Sequence, residues 1–157
     1  MKICSVCLQS DILCSGCSRK LDDGKITRTD IELSRAIHKI SKEKKFDVDF
    51  IQSEEDSGKV FVVVESNHAS RFIGPGGRNI KKLSQLLGKQ VKLLEKAEGS
   101  EKHVIEKMIG APILGVNKVY PQEIYSVRVE KRYARTVQPL ADVISKILDR
   151  NVRFVFE

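Results

Sequence analysis

The most informative stretch of the sequence is the nonapeptide Phe72-Ile73-Gly74-Pro75-Gly76-Gly77-Arg78-Asn79-Ile80. Its central glycines and proline interrupt a helix, because proline lacks a backbone N–H and glycine favours no single conformation. A short helical stretch over 67–73 precedes the interruption, and residues 78–87 carry apolar side chains at helical spacing on one face. Gly88 then ends the second helix. The pattern predicts two helices joined by a glycine loop.

The chemistry of this loop suits a polyanionic chain. Gly74 and Gly77 permit positive φ and carry no Cβ, so a sugar-phosphate backbone can approach closely. The helix that begins at Arg78 presents free N–H groups and a positive dipole end at the loop. The alternative is a helix-to-helix turn in which glycine and proline merely fit. The predicted contact residues are Arg71, Gly74, Pro75, Gly76, Gly77, Arg78, Lys81 and Lys82.

The residues before and after the loop complete a supersecondary unit. Thr29 and Glu32 form a capping-box pattern that predicts the start of an amphipathic helix. The acidic run over 53–58 reads as a turn between two strands, the second of which is β-branched and expected to be buried on both faces. The predicted elements are a helix over 29–44, strands over 46–51 and 59–65, the two loop-flanking helices, and a strand over 90–95.

The order of elements then recurs in the C-terminal part of the chain. Matching segments are offset by 65 residues before the glycine loop and by 61 after it, so the second copy lacks four residues where the first has its loop. The chain is therefore predicted to hold one intact and one loop-less version of the same unit. The second copy comprises a helix over 100–109, strands over 112–120 and 124–130, a link over 131–137, a helix opened by Pro139, and a strand over 151–156.

All four cysteines of the chain lie near its N-terminus. They form two pairs, Cys4 with Cys7 and Cys14 with Cys17, each with a two-residue spacer, and six residues separate the pairs. Two such pairs supply the four soft ligands of a tetrahedral, structural Zn²⁺ site. A segment of about 20 residues is too small to fold on an apolar core alone, so metal would replace that core. Iron and a redox pair remain alternative uses of these thiols, whereas disulfides are disfavoured in a reducing compartment.

The stretch from Phe72 to Ile80 resembles the I-G-x-x-G core of KH domains, and the order of elements resembles their type II arrangement. Two such units behind a four-cysteine knuckle are similar to the archaeal NusA-like proteins, which are implicated in transcription elongation or termination. The resemblance implies a loop that clamps about four nucleotides of RNA. Many family members carry a charged side chain where this chain has Pro75 and Gly76, which implies weak sequence selectivity. Type II KH units also occur in small-subunit ribosomal proteins, so ribosomal RNA stays open as the partner.

The second unit cannot form the same clamp, because it lacks the loop. We expect it to pack against the first unit or against a protein partner. Lys131, Arg132 and Arg135 lie in its link, where they could contact phosphate from the edge of the unit. A solvated basic face accounts for these three cations equally well.

Other classes of function have little support in the sequence. His38, His68 and His103 are scattered and no spacing joins them to a nucleophile, so no catalytic residue is predicted. The segment around Lys89 lacks the upstream glycine and the Ser or Thr of a nucleotide-binding P-loop. With no Trp and three Tyr, the chain is a poor match to a binder of single strands that relies on aromatic stacking. We therefore expect no enzyme and no small-molecule substrate.

Composition and charge agree with a basic binding protein. The 157 residues include 28 Lys and Arg against 21 Asp and Glu, a net charge of +7. Four thiolates and one Zn²⁺ would lower the net charge to about +5. No stretch approaches the roughly 20 apolar residues that span a bilayer, and no apolar run precedes a cleavage site at the N-terminus. We expect a cytoplasmic protein with no membrane partner.

These observations predict an α+β protein in which an N-terminal zinc ribbon or knuckle precedes two type II KH-like units of order α-β-β-α-α-β. The predicted boundaries are 1–24 for the zinc-binding module, 25–97 for the unit with the intact loop, and 98–157 for the degenerate unit. The expected cofactor is structural Zn²⁺. The expected partner is single-stranded or ribosomal RNA, beside RNA polymerase or the small ribosomal subunit.

Overall fold

Helices and strands alternate along the chain in the computed structural model, which describes residues 2–96 and 99–157. This mixed architecture confirms the predicted α+β class. The chain divides into two compact units, Met1–Leu93 and Leu94–Glu157, and the division falls within one strand. Within the described residues, no helix is long and apolar enough to cross a membrane.

The first unit carries five helices and three strands within the described residues, and the sheet has the order β1-β2-β3. Its elements are α1 (Ser5–Leu8), α2 (Ser15–Asp22), α3 (Arg28–Glu43), β1 (Gln52–Asp56), β2 (Lys59–Glu65), α4 (Ser66–Ile73), a 3-10 turn (Pro75–Gly77), α5 (Arg78–Leu87) and β3 (Gln90–Lys96). The order α3-β1-β2-α4-α5-β3 is the α-β-β-α-α-β order expected from the sequence.

The N-cap of helix α3 lies two residues earlier than the sequence pattern indicates. Thr27 is its N-cap and accepts a hydrogen bond from the Asp30 backbone N–H at 3.1 Å, while the Asp30 carboxylate accepts from the Thr27 N–H at 3.0 Å. The predicted box at Thr29 and Glu32 is therefore wrong. The pattern also fits Thr27 and Asp30, and the buried Asp30 carboxylate is further satisfied by the Ser53 N–H and hydroxyl, which favours the earlier start.

The first strand is the largest difference from the sequence prediction. Phe46, Val48 and Phe50 are buried, but residues 46–51 form no strand, and β1 is the acidic segment that was predicted as a turn. The strand pairs antiparallel with β2 through a two-residue turn, Ser57-Gly58, whose residues both have positive φ. Because β1 is at the edge of the sheet, its carboxylates reach water while its backbone pairs with β2.

The core of the first unit lies between its sheet and α3, α4 and α5. Alternate residues of β2 face these helices, and Phe61 and Val63 on its other face are also at most 3% exposed, which confirms the prediction that β2 is buried on both faces. The helices contribute apolar side chains at i, i+3, i+4 and i+7 positions, as an amphipathic helix requires. The main buried contributors are Leu33, Ile37, Ile40, Phe46, Val60, Val62, Val64, Phe72 and Leu83.

The second unit has the sheet order β4-β5-β6, in which β4 pairs antiparallel with β5 and β5 pairs parallel with β6. Its interior is formed mainly by apolar residues of β5 and of the last helix, among them Val127, Val129, Val143 and Ile144, all fully buried. Its elements are α6 (Glu101–Ile109), β4 (Ile113–Val119), β5 (Ile124–Val129), a 3-10 turn (Lys131–Tyr133), α7 (Ala134–Val137), a 3-10 turn (Gln138–Leu140), α8 (Ala141–Leu148) and β6 (Asn151–Phe156).

The repeat proposed from the sequence is visible in equivalent hydrogen bonds. In the first unit the Ser84 hydroxyl accepts from the Val91 N–H at 3.2 Å, and in the second the Ser145 hydroxyl accepts from the Val152 N–H at 3.1 Å. Each serine also donates to the carbonyl four residues earlier in its helix, at 2.9 and 2.8 Å. The bond from the strand N–H joins the helix to the strand that follows. The junction between helix and strand is therefore the same in both units.

The helix ends at this junction agree as well. Gly88 ends α5 and Asp149 ends α8, and both residues adopt the left-handed conformation, with φ of 68° and 52°. Before the junction the units differ, because the glycine loop of the first unit is replaced by a helical link in the second. The four-residue difference in length therefore lies in this segment, as the sequence offsets indicate.

Candidate nucleic-acid interface and metal centre

The glycine loop has a backbone that side-chain-bearing residues rarely adopt. Helix α4 ends at Ile73, and φ is then 72° at Gly74, 61° at Gly76 and 76° at Gly77. The Gly77 N–H donates to the Gly74 carbonyl at 3.1 Å and closes the turn. Three positive φ values in four residues explain the need for glycine, and the three glycines leave the loop surface without Cβ atoms at those positions.

Helix α5 begins directly after this loop without a side-chain cap among the described residues. Its N-cap is Gly77, which has no side chain to accept from the N–H groups of the first turn. The Arg78 N–H already donates to the Pro75 carbonyl, and the positive end of the helix dipole favours an anion at the first turn. The arrangement suits the phosphate oxygens of a nucleic-acid backbone.

Asn79 holds the two helices around the loop together, and sequence reasoning missed it. Its Nδ2 donates to the Arg71 carbonyl in the last turn of α4 at 2.8 Å, although Asn79 itself lies in the first turn of α5. A Cβ placed on Gly74 would lie only 2.6 Å from this Nδ2. The glycine is therefore required by a close approach as well as by its φ. An Asn two residues into a helix was the available signal, because Asn is unfavourable there unless its amide has a partner.

The four predicted cations differ in what they contact. Arg78 and Lys81 are exposed, and the Lys81 side chain passes close to Gly77. Arg71 is exposed and its Nη1 donates to the Asp47 carbonyl at 3.2 Å. Lys82 instead forms an ion pair with Glu43 at the end of α3. Three of the four cations thus remain available at the loop, while the fourth is directed toward a carboxylate.

A cavity of about 600 Å³ lies beside the loop. Its wall includes Lys45 and Ser70, which sequence reasoning also missed, because about 30 residues separate Lys45 from the loop and only the fold brings them together. Lys45 follows α3 in a lysine-rich segment, and this local charge was the available signal. The cavity thus adds a cation and a hydroxyl to the loop. The residues around the cavity are Lys45, Phe46, Asp47, Ser70, Arg71, Gly74, Pro75 and Asn79.

The four cysteine sulfurs form a second candidate site, and all of them lie within 4.8 Å of one another. The sulfur of Cys4 is 3.5 Å from that of Cys7 and 3.9 Å from that of Cys14. A tetrahedral ion with Zn–S bonds of about 2.3 Å holds its sulfurs about 3.8 Å apart, so the donor set fits such an ion. Backbone N–H groups donate to the sulfurs of Cys17, Cys7 and Cys14 at 3.4, 3.1 and 3.4 Å.

The thiols have unequal acidities in the absence of a cation. The Cys7 backbone N–H lowers the pKa of Cys4 to about 6, and the Cys17 backbone N–H lowers the pKa of Cys14. The Cys14 backbone N–H lowers the pKa of Cys7, but burial and the neighbouring thiols outweigh this effect and raise the pKa to about 12. Four thiolates in this space repel one another, so full deprotonation needs a compensating divalent cation.

The cysteine segment packs onto the first unit through α3. Apolar side chains of the segment and of α3 share one buried cluster, which includes Ile3, Cys7, Cys17, Ile26 and Ile31. The Arg35 guanidinium on α3 also donates to the Cys7 carbonyl at 3.2 Å. Cys7 thus carries both a sulfur of the cluster and a contact to the helix that supports the sheet.

The sequence of the chain matches the KH domain family over residues 32–132, which is more than half of its length. The chain belongs to the KH domain family. KH domains bind RNA and are not an enzyme family, and the glycine loop lies within the matched span. A KH-type domain behind a cysteine cluster confirms the predicted fold class.

Among solved structures, the KH protein is similar to the one titled "Crystal structure of APE1850", with a TM-score of 0.61 and 21% sequence identity. The likeness covers 78% of this chain and 96% of that chain, and at this identity it supports the fold alone. No curated protein matches the sequence.

Proposed function

We propose that this protein is a non-enzymatic RNA-binding protein that clamps an RNA backbone at Gly74–Gly77. The carrying observation is the loop itself, in which three glycines with positive φ lead into a helix whose N-terminus has no side-chain cap. Phosphate oxygens would accept from the first-turn N–H groups of α5, while the absent Cβ atoms let the sugar-phosphate backbone lie against the loop. Membership of the KH family supports this use of the loop.

The side chains around the loop would add charge rather than base recognition. Arg71, Arg78 and Lys81 carry exposed positive charge near the loop, whereas a phosphate near Lys82 would have to compete with Glu43. Pro75 and Gly76 offer no side-chain donor or acceptor. The clamp should therefore hold single-stranded RNA with weak sequence selectivity, and about five phosphate contacts would give a salt slope near −3.5.

The decisive experiment replaces both central loop residues with aspartate. Two carboxylates at Pro75 and Gly76 would face the phosphates, so P75D/G76D should lose detectable binding of a fluorescent single-stranded RNA in an anisotropy titration. Circular dichroism should match the parent protein, and the Tm should fall by only a few degrees, because a side chain at the positive φ of Gly76 costs about 1 kcal/mol. Wild-type affinity in a folded P75D/G76D protein would reject the clamp.

We further propose that Cys4, Cys7, Cys14 and Cys17 bind a structural Zn²⁺ ion, which would supply four metal–thiolate bonds in place of a larger core. The donor set, the short sulfur separations and the contact between Cys7 and Arg35 support this role. The proposed division of the chain is a zinc-binding module at 1–24, a KH domain at 25–97 and a degenerate KH-like domain at 98–157. The boundary at 97/98 lies outside the described residues.

For the pathway, we propose a NusA-like role in which the protein acts beside RNA polymerase in the cytoplasm as an elongation or termination factor. The combination of a cysteine module, an intact KH unit and a loop-less second unit supports this role over a free-standing RNA clamp. Sedimentation of cell extract tests it, with co-migration with RNA polymerase as the expected result. Stable co-migration with the small ribosomal subunit after a high-salt wash would overturn it in favour of ribosomal RNA.

A further inference from the structure

All three tyrosines of the chain lie in the second unit, and each contacts a cation. Two of them form one cluster with Lys118, whose amino group lies 5.0 Å from the ring centre of Tyr120 and 5.7 Å from that of Tyr125. The guanidinium of Arg150 lies 5.0 Å from the centre of the Tyr125 ring. The Tyr125 ring therefore contacts both Lys118 and Arg150, and these cation–π contacts hold the two cations near the start of β5.

Tyr120 differs from Tyr125 because it is 69% exposed. A large ring this exposed gains little from burial, and Lys118 is its cation partner in the cluster. Tyr120 begins the turn between β4 and β5, which spans four residues, whereas the equivalent turn of the first unit has two. The turn of the second unit is therefore two residues longer, and its first residue presents an aromatic ring to solvent.

A cavity of about 540 Å³ adjoins this ring through Lys118. Its volume falls in the range of sites that take small ligands, and amide and ammonium groups around it can donate to the edge of a base. The cavity lies where β5 begins, whereas the loop-less link follows the other end of the same strand. The residues that the cavity offers to a ligand include Lys118, Gln122, Tyr125, Lys146, Arg150 and Asn151.

The charges around the cavity are balanced. Arg150 forms an ion pair with Glu101, and Lys118 lies 3.8 Å from Glu123. Asp149 adds a third acid beside Lys146 and the other two cations. With three positive and three negative side chains, this surface attracts phosphates weakly, so a ligand that gains most from ring stacking suits it better than one that is held by charge.

We infer that Tyr120 is a stacking platform for one base of single-stranded RNA, with the adjoining cavity receiving the edge of the base or its neighbour. This second contact rests on the proposed RNA clamp, because the same strand must be held by the protein. Lys118 fixes the ring from one side and Tyr125 fixes Lys118. The loop-less unit would then contribute to RNA affinity without a clamp and without strong dependence on salt.

The test uses the full chain and single-stranded oligoadenylates from about 4 to about 24 nucleotides, because adenine stacks well and about four nucleotides fill the clamp. Tyr120→Ala should weaken binding of the longer oligomers about tenfold and leave the shortest unchanged, since stacking of one base is lost. The slope of log affinity against log salt should not change. Tyr120→Phe keeps the ring and should bind as the parent protein does.

Val119→Ala is the matched control, because it removes apolar surface beside Tyr120 without removing a ring, and its affinity should equal that of the parent. If Tyr120→Ala binds every length like the parent while P75D/G76D has lost binding, the inference is overturned and the clamp stands. If P75D/G76D retains its affinity, the clamp itself fails. Equal loss for short and long oligomers in Tyr120→Ala would likewise reject a separate stacking contact.

Discussion

The two units share one helix-to-strand junction and differ in the segment before it. In both, a serine hydroxyl accepts from the N–H of the second residue of the following strand, and a left-handed residue ends the helix. The first unit then has Gly74–Gly77 before this junction, while the second has a helical link. The comparison shows that the junction and a three-stranded sheet form without the loop, which supports the proposed use of the glycines in RNA binding.

The units also differ in the position of the exposed polar, cationic and aromatic groups that could contact a ligand. The first concentrates backbone amides and cations at the end of β2 that leads into α4, and its β-turn is short. The second has lost that surface and carries its aromatic and cationic side chains at the opposite end of β5, beside a longer turn. A duplicated scaffold can therefore lose one contact surface and present another without a change in the order of its elements.

The largest difference between the two units should appear in their hydrogen-exchange protection after the metal is removed. Chelation is expected to release one Zn²⁺ per chain and to abolish hydrogen-exchange protection across residues 2–26, because structural zinc in small modules contributes about 10–16 kcal/mol of apparent binding free energy. Exchange in β4, β5 and β6 should stay unchanged. Ser15→Ala, which alters a neighbour but no sulfur, is the control and should retain the ion. Absence of bound metal in the purified protein, or a uniform loss of protection, would contradict this prediction.

The second-largest difference should appear in RNA affinity when cationic side chains are removed from each unit in turn. Arg71→Ala, Arg78→Ala and Lys81→Ala combined should weaken RNA binding by at least about thirtyfold and reduce the steepness of the salt slope by about 2, since each lost phosphate contact changes the slope by about 0.7. The matched triple in the second unit, Lys131→Ala, Arg132→Ala and Arg135→Ala, should change affinity by less than about threefold. Similar losses in both triples would show that the link of the second unit also contacts the RNA backbone.

A single methyl group should show why the loop begins with glycine. Gly88→Ala places alanine in the left-handed region at a cost of about 1 kcal/mol, whereas Gly74 has φ of 72° and ψ of 173°, a region that only glycine adopts readily. At Gly74 the new Cβ would also meet the Asn79 side chain, at 2.6 Å. Gly74→Ala should therefore lower the free energy of unfolding by about 2 kcal/mol and weaken RNA binding, whereas Gly88→Ala should affect stability only. Adding Asn79→Ala to Gly74→Ala should relieve part of the loss, and strict additivity of the two changes would argue against the contact.

The features predicted correctly from sequence are those that local chemistry determines. The glycine loop, its flanking helices and the cysteine pairs depend on residue types at fixed short spacings, and Gly88 as a helix end follows from backbone preference alone. The repeat was recognisable because its offsets change only at the missing loop. In these cases the local structure is determined by a few residues that are close together in the sequence.

The errors and omissions arise where distant residues decide. The apolar alternation over 46–51 indicated a strand, and its apolar residues Phe46, Val48 and Phe50 are buried, but the hairpin register pairs the acidic run with β2 instead. Asn79 was missed because its partner is a backbone carbonyl on the preceding helix. The count of three tyrosines does not show that Tyr120 and Tyr125 share one lysine, because that contact depends on the fold.

The smallest difference between the units is expected in the free energy of unfolding that is lost when the serine of the shared junction is replaced. Ser84→Ala and Ser145→Ala each remove a hydroxyl that accepts from a strand N–H and donates to a helix carbonyl, and each should lower the free energy of unfolding by about 1 kcal/mol in urea denaturation. Because the bonds have nearly the same lengths in the two units, the two losses should agree within about 0.5 kcal/mol. RNA affinity should stay at the parent value in both variants, since neither hydroxyl lies at the loop. A much larger cost for Ser84→Ala would mean that the junction of the loop-bearing unit carries strain that the loop-less unit lacks.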